Sequence, residues 1–115
     1  MLESRKKKMI TVKPSPIHGY GVFATEDIPI DTKIGELHGK RITLEEAKRA
    51  DQYLVLRIAD NTYLDFYGSP DKLMFTNSSI TPNAIMRLNP KGWVDFYSTQ
   101  PISKDEEITV WYQLK

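Results

Sequence analysis

The chain of 115 residues carries 16 Lys plus Arg against 15 Asp plus Glu, a formal net charge of +1, and so lacks the basic excess of a dedicated duplex-DNA binder. Hydrophobic residues at 40% and charged residues at 27% give a globular balance that excludes general disorder, in a length that suits one compact domain. Cysteine is absent, which excludes disulfide scaffolds, thiolate zinc sites and cysteine nucleophiles together. Residues 1–8 end in Arg5-Lys6-Lys7-Lys8, either a basic arm for nucleic acid or an acidic partner, or a solvated, frayed terminus. Residues 9–115 are expected to form a single domain. Met9, Thr11 and Lys13 alternate with Ile10 and Val12 until Pro14 and Pro16 stop the strand. Ile17 to Ala24 places Gly19 and Gly21 around Tyr20, a tight turn entering a strand. Asp27 to Asp31 is a turn, and Thr32 to Leu37 a further strand before Gly39.

One stretch reads as helical. Thr43 with Glu46 forms a Thr-x-x-Glu capping box, and Leu44, Ala47 and Ala50 predict one face of a helix of two or three turns. After Asp51 the period becomes two, Leu54, Leu56 and Ile58 against Tyr53, Val55 and Arg57. Asp60-Asn61 then turns the chain into a return strand over Thr62 to Phe66. Leu73 to Asn83 holds too many competing polar side chains for regular structure. Ile85 to Leu88, Trp93 to Tyr97 and Ile108 to Tyr112 are the last predicted strands. The expectation is a mostly β fold of eight or more short strands and one short helix.

Several chemistries lack their residues. There is no Walker-type loop, no Gly-x-Ser-x-Gly elbow and no His-x-x-x-His pair. His18 and His38, with no cysteine to join them, make a thin metal site, so no metal is expected. No apolar run approaches the ~18 residues of a membrane span, and no secretory signal follows the charged N-terminus. The expected setting is intracellular, cytoplasmic by default, with a nuclear or host-directed role left open and no membrane partner.

Three segments gain meaning from their order and spacing: Gly19-Tyr20-Gly21-Val22-Phe23, Phe75 to Asn83, and Asp105-Glu106-Glu107-Ile108-Thr109-Val110-Trp111-Tyr112. Together they resemble the SET domain of protein lysine methyltransferases, above all its minimal viral and bacterial forms without flanking regions. The resemblance covers about residues 9–113. It implies a β-clip fold of several short sheets, with the Asn77 element and the C-terminal segment crossing in a pseudoknot. It implies S-adenosyl-L-methionine as cofactor, held by Gly19, Tyr20, Gly21, Asn77, Ser78 and Tyr112, with Tyr112 as the catalytic group beside the sulfonium. It further implies a neutral lysine, in an exposed and possibly histone-like peptide, as methyl acceptor.

The sequence departs from the family pattern at informative positions. Ser78 stands for a histidine, Trp111 for an acidic residue and Asp105 for a turn glycine. Leu37 and Met86 occupy places that often carry tyrosines, and with Trp111 they are the expected substrate-channel residues. The chain ends three residues past Tyr112, so a lid over the site is expected from a second subunit, a local tyrosine or the substrate, and a homodimer is one expectation. Asp60, Asp65, Glu106 and Glu107 are candidates for attracting a basic tail. The competing expectation is a catalytically inactive SET-fold module that binds a protein or nucleic-acid partner.

Overall fold

A computed structural model describes residues 9–50 and 55–112. The Arg5–Lys8 arm, Tyr53 and Leu54 lie outside the described residues. Among the described residues ten strands form three small sheets. The first joins β1 (Ile10–Pro14), β2 (Tyr20–Ala24), β10 (Glu107–Val110) and β7 (Asn77–Ser78), in that order. The second runs β3 (Lys33–Leu37), β9 (Val94–Ser98), β8 (Ala84–Leu88), and the third β4 (Lys40–Ile42), β6 (Thr62–Asp65), β5 (Val55–Ala59). Every pairing within these sheets is antiparallel except one: Asn77 and Ser78 run parallel to Thr109 and Val110.

The strands expected from the sequence supply the core, although β2, β9 and β10 are buried on successive residues where a half-exposed strand would alternate. Val22, Ala24, Ile34, Leu37, Met86, Val94, Phe96, Ile108 and Val110 point into one core, each at most 5% exposed. Turn chemistry also matches. Asn61, at the tip of the β5–β6 hairpin, and Asp105, before β10, both adopt positive φ, 52° and 73°. Asp105 thus performs a glycine's task, as short polar side chains can in the left-handed region.

Two elements differ from expectation. The helix α1 is one turn, Leu44–Ala47, although its capping box is present: the Thr43 side chain accepts from the Glu46 N–H while the Glu46 carboxylate accepts from the Thr43 N–H. Only Ala47 of that turn is buried and Leu44 is 40% exposed, so the three-residue apolar face has too little to pack against to prolong a helix. The Leu73–Asn83 stretch is more ordered than its composition implies. It opens with a 3-10 helix, Lys72–Phe75, and continues as β7. β4 is a further strand that its short Lys-Arg-Ile sequence did not announce.

Gly39 has a packing reason. A Cβ there would stand 2.6 Å from the Phe66 ring and 2.9 Å from the Asp65 carbonyl oxygen. The β3–β4 connection can cross the end of β6 only without a side chain.

Candidate active site

The parallel strand β7 brings the three sequence segments together. Gly19 and Tyr20 from the β1–β2 turn, Met74 to Ser78 from the 3-10 helix and β7, and Tyr112 just past β10 line one cleft of about 410 Å³. This lies within the size range of small-molecule sites. A larger concavity of about 640 Å³ lies along Lys33, Glu36, His38 and Asp71, but it holds none of the residues expected to bind cofactor or substrate.

Local geometry explains each wall. Gly19 adopts φ +47°, and a Cβ on it would meet nothing within 4 Å; the turn is closed by the Ser15 N–H donating to its carbonyl at 2.7 Å. The Asn77 side-chain N–H₂ group donates to the carbonyls of His18 and Tyr20, both at 3.1 Å, and to the Glu107 carboxylate at 2.9 Å. Asn77 therefore clamps the glycine turn onto β10. Asn83 makes a second clamp: its side chain accepts from the Thr109 N–H at 2.9 Å and donates to the Glu107 carbonyl at 2.9 Å. With both amides in place, β10 is pinned from two sides.

Tyr112 is 42% exposed as a residue, while its hydroxyl donates to the Thr76 carbonyl. Burial of the hydroxyl end pushes the phenol up to about 12. At neutral pH it is therefore a fixed, protonated group: a donor to Thr76 whose oxygen still has lone pairs to offer.

Not every expected residue reaches the cleft. Gly21 is buried in β2, and a Cβ there would overlap the Glu107 carboxylate and press on Ser15. Its glycine requirement comes from that packing. Leu37 and Met86, expected along a substrate channel, are core residues at 1% and 0% exposure, so neither presents surface to a ligand in this structure. Trp111, 48% exposed, lines a separate apolar cleft of about 370 Å³ with Ile80, Pro82, Ala84 and Ile85.

The four carboxylates proposed to attract a basic tail have local partners. Asp60 pairs with Arg57 at 2.8 Å, Asp65 accepts from the Tyr67 N–H at 2.9 Å, and Glu106 accepts from the Ser103 N–H at 2.8 Å. Glu107 accepts from Ser15 and Asn77. Sequence reasoning missed Ser15 and Thr76, which organise the cleft through a hydroxyl and a carbonyl. Nothing in their residue types marks them. Among the described residues no cluster of three or more His, Cys, Asp or Glu is placed to hold a metal ion.

The SET domain family model matches residues 19–113, and the chain belongs to that family. It is 29% identical over 123 residues to a Chaetomium globosum histone-lysine N-methyltransferase, H3 lysine-4 specific, covering 96% of this chain and 11% of that protein. It is 31% identical over 124 residues to human histone-lysine N-methyltransferase SETD1A, covering 97% of this chain and 7% of that one. The chain thus spans about a tenth of the length of the curated relatives it matches. A crystal structure of a Plasmodium falciparum protein described as a histone methyltransferase superposes with a TM-score of 0.77 at 24% identity, covering 93% of this chain and 95% of that one. That likeness bears on the fold.

Proposed function

We propose that this chain is a protein-lysine N-methyltransferase domain that uses S-adenosylmethionine and acts on a lysine in an exposed, extended segment. The observation that carries the reading is the convergence of Gly19, Tyr20, Asn77, Ser78 and Tyr112 on one cleft in a SET-family chain.

The cleft's chemistry fits such a cofactor. Its lining includes the Tyr20, Phe75 and Tyr112 rings and no Asp, Glu, Lys or Arg, which suits an adenine ring and a thioether-like chain needing apolar walls and a few polar anchors. Tyr20 and Phe75 would flank the adenine, and the Ser78 main chain and the open Gly19 turn would meet the polar ends. Asn77 holds that turn in place, its N–H₂ group being committed to His18, Tyr20 and Glu107. When bound, the cofactor supplies an electrophilic methyl group on a sulfonium.

The chain's own residues would position the acceptor. Tyr112, fixed by its bond to Thr76, presents an oxygen that accepts from the incoming amine and aligns its lone pair. Its proton is held until about pH 12, so Tyr112 is no base, and the lysine must enter neutral. Free lysine titrates near ~10.4, and a desolvating channel beside a cation lowers that value. The rate is therefore expected to rise with pH through the mildly alkaline range.

The relatives' names favour a histone-like substrate. Strands β4 and β5 flank β6 and so leave backbone edges to which an extended peptide can add. A second reading, a binding module without catalysis, is supported by the apolar cleft under Trp111 and Ile80, the latter 84% exposed. A partner or a second copy covering that face would use it without needing Tyr112. Calorimetric titration with S-adenosylmethionine, followed by transfer of a labelled methyl group to lysine-rich histone peptides, decides between them. Saturable binding with labelling lost in Tyr112→Phe supports the enzyme. Absence of cofactor binding, even with peptide present, sinks it and leaves the binding module.

A further inference from the structure

The Glu107 carboxylate touches a wall of the cleft from behind, at Asn77. It is half-buried, accepts from the Ser15 hydroxyl at 2.8 and 2.9 Å and from the Asn77 N–H₂ group at 2.9 Å. Both donors are neutral. Among the described residues no Lys, Arg or His pairs with it, so its hydrogen bonds are satisfied while its formal charge stays uncompensated. Asn77 also gathers the His18 and Tyr20 carbonyls, two more negative dipole ends at the same wall. The cleft lining adds no Asp, Glu, Lys or Arg and a single histidine, His18, so the Glu107 carboxylate directly behind Asn77 contributes a negative field inside. A half-buried charge is poorly screened by solvent and salt, and it acts across several ångströms.

We propose that Glu107 is a charge-selective positioning residue: from behind Asn77 it makes the cleft favour a cationic ligand over its neutral counterpart. This rests on the cofactor reading above. S-adenosylmethionine carries one more positive charge, on its sulfonium, than S-adenosylhomocysteine, so the reactant is retained and the demethylated product is released. A half-buried carboxylate without an ionic partner has an explanation in that selection, and so does Gly21, whose bare Cα leaves the carboxylate its place.

Glu107→Gln is nearly isosteric. Its amide oxygen can still accept from Asn77 and its N–H₂ can donate to the Ser15 hydroxyl, so the clamp survives while the charge is lost. Calorimetry on the full chain is expected to show binding of S-adenosylmethionine weakened on the order of tenfold, with binding of S-adenosylhomocysteine changed less than about twofold. Equal losses for both ligands, or no loss for either, overturn the proposal. Ser15→Ala keeps the charge and removes one hydrogen bond; it must leave the ratio of the two affinities as in wild type, and a shift matching that of Glu107→Gln would assign the effect to packing. Should Glu107→Gln fail to fold, the wild type still decides, because it must bind the cationic ligand more tightly than the neutral one. A wild type that binds neither ligand removes the cofactor reading itself, a result distinct from binding both without preference.

Discussion

Tyr112 shows how one side chain can be both exposed and fixed. Its ring edges the cleft while its hydroxyl is held at the Thr76 carbonyl. Its phenol ionises at about 12 in the folded chain, against about 10 unfolded. The unfolded chain therefore releases this proton first as pH rises. Stability contributed by the protonated phenol is complete below pH 10 and declines as pH climbs towards 12. Alkaline titration of phenolate absorbance should show a component near pH 12 that Tyr112→Phe removes, and a component that persists in the variant would contradict the assignment. Asn77→Ala should cut its three tethers at once, lowering stability by about 1–3 kcal/mol in thermal unfolding. Its effect on ligand binding would then mix lost structure with lost contact, which makes Glu107→Gln the cleaner probe. Gly19, Tyr20, Asn77, Ser78 and Tyr112 were legible in the sequence as members of a motif. That Asn77 spends its N–H₂ group on the protein was not, because a motif gives spacing and never the partners of a donor. Leu37 and Met86, expected along a channel, lie in the core at 1% and 0% exposure, and position within a pattern says nothing of whether a side chain turns inward.

At the scale of elements, β9 is held to β3 by more than its ladder. Asp95 is 6% exposed; its burial penalises the charge, but bonds from Asn89, Trp93 and Lys33 outweigh that and keep its carboxyl below the usual range. With the folded value depressed, the stability it contributes is present above the unfolded pKa near ~3.9 and is lost as pH falls through the lower folded value. Asp95→Asn should remove part of that acid-dependent stability, lowering the unfolding free energy at pH 7 by about 1–3 kcal/mol for charge-assisted bonds. An unchanged acid limb in denaturation monitored by circular dichroism would refute it. Thr43→Ala, which deletes the capping box, should cost about 1 kcal/mol by denaturant titration. The box itself was plain from Thr43 and Glu46. Strand β7 was hidden, since two residues carry no period, and its parallel pairing to β10 joins segments over thirty positions apart.

Among the described residues the three small sheets share one interior, a single cluster of buried side chains. Phe96, fully buried in β9, stands among the largest side chains there. Phe96→Ala should cost about 3–5 kcal/mol, a large share of the ~5–15 kcal/mol that holds a domain together. Loss of a single cooperative transition in thermal unfolding would be the sign, and a melting curve within a degree or two of wild type would count against a common core. The mostly β class and the order of strands could be read from alternation and turn residues. How the sheets close on one another could not, because contacts such as the Asn83 clamp onto Glu107 and Thr109 are long-range.

Ser15 and Glu107 bond across 92 residues of chain, and the cleft needs both neighbourhoods. A ribosome adding about 5–20 residues per second finishes the Gly19 turn many seconds before β10 emerges to complete its wall. A nascent chain without β10 lacks one wall of this cleft, so on the function proposed above it would not yet hold the cofactor. Pairing of β10 with β2 and β7 is the step that completes the cleft.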